Sequence, residues 1–103
     1  DWEEACVDHY LFDLAMAMHG FSYVAEEWRP DLARSFLAGY EAGRPLDPGE
    51  RESLPLFLRW TPLAMAGWHL HRYSLTPNPR QAGRIDQLLQ RDGTLFDCDS
   101  LFP

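Results

Sequence analysis

The chain has no lysine. Its nine basic residues are all arginine, set against sixteen acidic ones, for a formal charge of −7. Without lysine the stretch holds neither a Walker-type phosphate loop nor a phosphate-anchoring lysine. Without a basic cluster it is poorly suited to nucleic acid or to an anionic membrane surface, because both demand local positive charge. Cysteine is scarce as well. Cys6 and Cys98 lie far apart, form no C-x-x-C pair and have no metal-ligand spacing with the histidines. Two free thiols in a cytosolic chain is the reading that fits. No apolar run approaches the ~20 residues of a membrane span. The opening Asp1-Trp2-Glu3-Glu4 is acidic and unlike a signal or transit peptide. With no methionine at its start, the chain is expected to begin inside a longer protein.

What the chain does have is apolar and aromatic surface. Hydrophobic residues make up 46% and aromatics 14% of 103 residues, enough for one modest core. Four stretches carry helical periodicity. In the first, about 8–19, Leu11, Leu14, Ala15 and Met18 share a face, and Gly20 offers a stop. The second, about 30–42, opens on Pro30 and lines up Leu32, Ala33, Phe36, Leu37 and Tyr40. The third opens on a capping box, Asp47-Pro48-Gly49-Glu50, and continues to about Leu75. Pro55 predicts a break in it and Pro62 a kink. The fourth starts at Asn78-Pro79, with Ala82, Ile85, Leu88 and Leu89 as its stripe, and stops at Asp92-Gly93. No segment alternates with period two, so no strand is expected. The pattern predicts an all-α bundle of four to five helices forming one domain or part of one.

Local motifs carry this further. Asp1-Trp2-Glu3-Glu4-Ala5-Cys6, followed by Tyr10-Leu11-Phe12-Asp13-Leu14-Ala15, resembles an Asp-aromatic-acidic turn and the aromatic-x-Asp-Leu-Ala helix that follows it in aminoglycoside-phosphotransferase-like kinases. Ser35 to Leu46, reading SFLAGYEAGRPL, and Glu50 followed by Leu54-Pro55-Leu56 are similar to the corresponding stretch of homoserine kinases. The resemblance covers Asp1 to about Tyr73.

The resemblance implies a place in the C-terminal helical subdomain of a protein-kinase-like fold. The parent would be a bacterial, cytoplasmic kinase that uses ATP and Mg²⁺ to phosphorylate a hydroxyl of a small molecule, homoserine foremost. Choline-like alcohols, aminoglycosides and methylthioribose are acceptors of related kinases. Asp1 matches the Mg²⁺ ligand, a hard carboxylate oxygen suited to that ion. Asp13 matches an aspartate that braces the catalytic loop through backbone hydrogen bonds. The His-Gly-Asp catalytic loop, the glycine-rich nucleotide loop and the N-terminal lobe are absent from these 103 residues, so catalysis by this stretch alone is not expected. Glu26, Glu27 and Trp28, between the first two helices, are candidates for contact with the acceptor.

Plainer readings stand beside these. Asp8 reads as a helix cap, and Glu3 and Glu4 as solvated charge at a helix start. His69 and His71, two apart on a helix, point to different sides and do not make a metal pair. Trp28, Trp60, Trp68, Tyr23 and Tyr40 are candidates to line an amino-acid or amino-alcohol pocket, with core packing as the default for aromatics at helical spacing. A helical interaction domain with no enzymatic role is the alternative. A segment cut from its neighbours would also keep an apolar patch exposed and so self-associate.

Overall fold

A computed structural model describes residues 6–91 together with Leu101 and Phe102. Four helices dominate: α1 (Tyr10–Ser22), α2 (Pro30–Gly43), α3 (Pro48–Leu75) and α4 (Pro79–Arg91). The all-α expectation holds, with one addition. A two-stranded antiparallel hairpin, β1 (Tyr23–Val24) and β2 (Glu27–Trp28), joins α1 to α2. Strands of two residues are too short for alternation to register, which is why the sequence showed none. The hairpin turn puts Ala25 and Glu26 at φ 51° and 62°. Two consecutive left-handed residues are the hallmark of a type I′ turn, which matches the twist of paired strands.

The helix starts follow local chemistry. The cap of α1 falls one residue later than expected: His9 is the N-cap, its Nδ1 accepting from the Leu11 N–H at 3.2 Å, while Asp8 accepts from the His9 N–H. At α3 the capping box forms as read. Asp47 accepts from the Glu50 N–H at 2.8 Å, and Glu50 accepts from the Asp47 N–H at 3.0 Å. Glu50 also takes both nitrogens of Arg44, at 2.7 and 3.3 Å, and the Arg44 guanidinium lies 4.3 Å from the Tyr10 ring centroid. That chain of contacts ties the starts of α1 and α3 together. Asn78 caps α4 by accepting from the Arg80 N–H at 2.9 Å.

Two expected stops did not occur. α1 runs through Gly20 to the buried Ser22, and no glycine of the described residues has positive φ. Phe21, stacked on Phe36 of α2 at 5.3 Å, gives that last turn a packing partner. The break at Pro55 is also absent, because α3 is one helix from Pro48 to Leu75. Pro55 vacates the carbonyl of Arg51, an exposed residue in the first turns of the helix. Pro62 poses a harder problem, taken up below.

The core gathers Leu11, Leu14, Ala15 and Met18 of α1, Ala33 and Leu37 of α2, and Leu54 and Leu58 of α3. Leu46 and Leu101 close it. The chain's end is therefore docked, although no periodicity announced it: Leu101 is buried, and Phe102 lies under Arg51 at 5.0 Å. α4 packs along the C-terminal half of α3 and buries Leu88.

Candidate functional site

The richest polar cluster sits where the end of α1, the hairpin, α3 and α4 meet. It begins with a backbone defect. Pro62 has no N–H, so the carbonyl one turn earlier, on Leu58, loses its helical donor. Leu58 is fully buried, where an unpaired carbonyl costs about 1–3 kcal/mol. His19, 2% exposed in the last turn of α1, supplies the missing donor: its Nε2 lies 2.6 Å from the Leu58 oxygen. Donation requires the Nε2–H tautomer. Burial lowers the His19 pKa. The carbonyl bond opposes this, while the nearby Arg91 and Arg84 charges add to the lowering. The ring is accordingly neutral at pH 7.

The hairpin covers that histidine. Its register pairs Tyr23 with Trp28 and Val24 with Glu27, so Tyr23 and Trp28 share one face and Val24 and Glu27 the other. The first face meets His19. Tyr23 stacks on the imidazole, with centroids 5.4 Å apart and planes at 8°, and Trp28 lies 6.1 Å away. Beyond Tyr23 sits Arg91, its guanidinium 4.0 Å from the ring centroid. The left-handed turn carries Glu26 to Arg91, and the two make a bidentate pair at 2.9 and 3.1 Å. Arg84 approaches the same carboxylate at 3.8 Å. The hydrogen bonds from Arg91 hold the Glu26 carboxyl below the usual range. Arg91 is 6% exposed, a charge this buried needs a partner, and Glu26 provides it.

The residues singled out from the sequence fall unevenly on this geometry. Glu26 is engaged by α4. Glu27 is exposed on the outer face of the hairpin. Trp28 is half-buried against the core. The three are adjacent in space, but they point apart. Asp13 lies exposed in the first turn of α1, where its charge suits the helix dipole, about 14 Å along the helix from the hairpin. Asp1 lies outside the described residues. Among the described residues no three His, Cys, Asp or Glu side chains converge to hold a metal. His19 and Arg91 were missed by the sequence reading. The signal that would have found His19 is indirect: a proline inside a buried helix demands a donor from elsewhere.

Comparison with known proteins points one way. The chain is 31% identical to a homoserine kinase of Caulobacter sp. (strain K31) over 78 residues, 75% of this chain and 24% of that protein. It is 35% identical to the homoserine kinase of Phenylobacterium zucineum (strain HLK1) over the same length and shares. The chain is homoserine kinase-like. A homoserine kinase of Gluconobacter oxydans (strain 621H) matches over 89 residues, 85% of this chain, at 28% identity. This homoserine kinase-like chain spans about a quarter of the length of these curated relatives. No protein-family model and no solved structure matches it. Among its described residues no helix is long and apolar enough to cross a membrane.

Proposed function

We propose that these residues form the C-terminal helical part of a cytoplasmic phosphotransferase that uses ATP and Mg²⁺ to phosphorylate a hydroxyl of a small molecule, with homoserine as the first acceptor to test. The observation that carries this reading is the similarity to homoserine kinases over three quarters of the chain, joined to the helical scaffold of the described residues. The relationship to aminoglycoside phosphotransferases is part of the same proposal and rests on the Asp1-Trp2 and Tyr10 to Ala15 motifs.

In this reading the catalytic base and most of the nucleotide pocket come from residues outside these 103. Asp1 supplies one carboxylate toward Mg²⁺, which, when bound, neutralises charge on the phosphates being transferred. Asp13 braces the catalytic loop from the start of α1. Glu27, exposed on the outer face of the hairpin, holds the acceptor's amine. Trp28 shapes the wall behind it, and Glu26 acts by fixing the hairpin to α4 rather than by touching substrate. The helices position these groups and do no chemistry alone.

The test is phosphate transfer from ATP to L-homoserine by the complete gene product that contains this segment. Transfer is expected, with loss of about 10³-fold or more in kcat on Asp1→Asn. Glu27→Gln is expected to raise KM for homoserine by about tenfold at near-constant kcat. No transfer to homoserine or to a panel of small alcohols would overturn the proposal.

A further inference from the structure

Charge is spread unevenly along this acidic chain. No aspartate or glutamate occurs between Glu52 and Asp86, although the sequence holds sixteen acidic residues. The same stretch holds Arg59, Arg72, Arg80 and Arg84. Arg84 is drawn to Glu26 at 3.8 Å. Arg72 has no such partner. Among the described residues it pairs with no carboxylate, and its guanidinium lies 5.4 Å from the ring centroid of Trp68, one turn earlier in α3.

Arg72 borders an open cavity of about 300 Å³ at the turn from α3 to α4, lined also by Leu75, Thr76, Asn78 and Gln81. That volume is at the small end of ligand pockets. We propose that the cavity binds a small organic anion, with its carboxylate or phosphate on Arg72 and its carbon part against Leu75, which is 68% exposed. A guanidinium carried on an aromatic face keeps its N–H edge for a planar fork of oxygens. Asn78 spends its Oδ1 on the Arg80 N–H at 2.9 Å, which leaves its amide NH₂ as a second donor. The Thr76 hydroxyl is a third.

Side chains, not a helix start, make this site. α3 ends and α4 begins at the cavity, so the negative end of one dipole and the positive end of the other largely offset. The first N–H groups of α4 are also taken, since those of Arg80, Gln81 and Ala82 all bond to Asn78. Nor does the overall charge of −7 decide the matter. Screening confines exposed charges to about 8 Å at physiological ionic strength. Along α3, Arg72 stands roughly 30 Å from Glu52, and roughly 20 Å beyond Leu58, where His19 of α1 meets the helix. The proposal rests on the charge and shape of this turn and stands whether or not the kinase reading does.

The test is an NMR titration of the isotope-labelled complete gene product with sodium butyrate and with sodium phosphate, against sodium chloride at matched ionic strength. It is read at the Arg72 Nε–H and at the backbone N–H groups of Thr76 and Asn78. Saturating shifts with Kd on the order of 1–10 mM are expected for at least one of the two anions, and the tighter one shows whether carboxylate or phosphate is preferred. Arg72→Gln keeps an exposed polar side chain and removes the charge. It should weaken binding about tenfold or more, read at Thr76 and Asn78, with the urea midpoint unchanged. Arg59→Gln, roughly 20 Å away on the same helix, should leave both unchanged. Shifts that stay linear and match those of chloride are screening alone and overturn the proposal. So does saturation that survives Arg72→Gln, or the absence of any shift at these three groups.

Discussion

Pro55 and Pro62 lie two turns apart in the same helix and meet opposite surroundings. Pro55 is half-buried, and the carbonyl it vacates belongs to the exposed Arg51. Pro62 is fully buried, and the carbonyl it vacates belongs to Leu58 in the core, where His19 serves it from another helix. The same covalent defect thus falls on an exposed residue at one site and is repaired in the core by a side chain at the other. The repair has a structural consequence. The Leu58 carbonyl that Pro62 leaves free becomes the acceptor through which α1 is fixed in rotation and register against α3. The hairpin and α4 then enclose the donor with Tyr23, Trp28 and Arg91.

The largest effect is expected from removing the repair. His19→Leu keeps the volume apolar but strands the Leu58 carbonyl in the core, and should lower stability by about 3 kcal/mol, read from urea denaturation. If the loss is below about 0.5 kcal/mol, the bond is incidental and the contrast between the prolines collapses. The next effect tests the mechanism. Pro62→Ala restores a helical N–H to the same carbonyl, so it should rescue His19→Leu. A double-mutant cycle over the two positions should show coupling of about 1–2 kcal/mol, and additivity would disconnect them. Pro55→Ala, which frees a donor toward the exposed Arg51, should raise stability by about 1 kcal/mol, the helix gain exceeding the lost rigidity of proline in the unfolded chain. Pro62→Ala alone should gain less than Pro55→Ala, because its carbonyl is already served and its buried ring leaves a small void.

These contacts also mark the limit of what the sequence reveals. The starts of α2, α3 and α4 were legible because Pro30, the Asp47–Glu50 box and Asn78 act on backbone groups within three residues. The core stripe of α1 was legible because periodicity is local too. The continuity of α3 through Pro55 was not, since the helix is held by packing against α1 and α4 rather than by local signals, and neither was the donor to the Leu58 carbonyl, which lies 39 residues away. The hairpin was missed because Ala25 and Glu26 lack the glycine or asparagine that usually signals a left-handed turn. What holds them there is Glu26 reaching Arg91, 65 positions along the chain. The same bond alters the reading of the candidate site. Glu26 was singled out as an acidic residue between the first two helices, and its charge pairs with Arg91. Glu27 is the neighbour left facing solvent. Family resemblance, by contrast, was legible from short motifs alone, because it requires residues in order and not in contact.

The smallest effect concerns pH, and its sign follows from burial. The folded-state pKa of His19 lies below its unfolded value of about 6.5, mainly because the buried ring resists charge. The unfolded chain therefore binds the proton first as pH falls. Stability contributed by the neutral ring is complete above pH ~6.5 and is lost as pH drops from there through the folded-state pKa. Protonation of the folded ring keeps the Nε2–H but places a third cation beside Arg91 and Arg84, with the Glu26 carboxylate already taken by both. His69, also lowered by burial and by Arg84, contributes with the same sign, so the wild-type slope alone does not isolate His19. The difference between wild type and His19→Gln does, because glutamine can donate to the Leu58 carbonyl without titrating. Urea midpoints taken between about pH 5 and 7.5 should show wild type losing stability relative to His19→Gln only on the acid side. A difference that is constant over that range would mean that the imidazole is held by something other than its neutral bond to Leu58, and that Pro62 is repaired by a charge-indifferent contact.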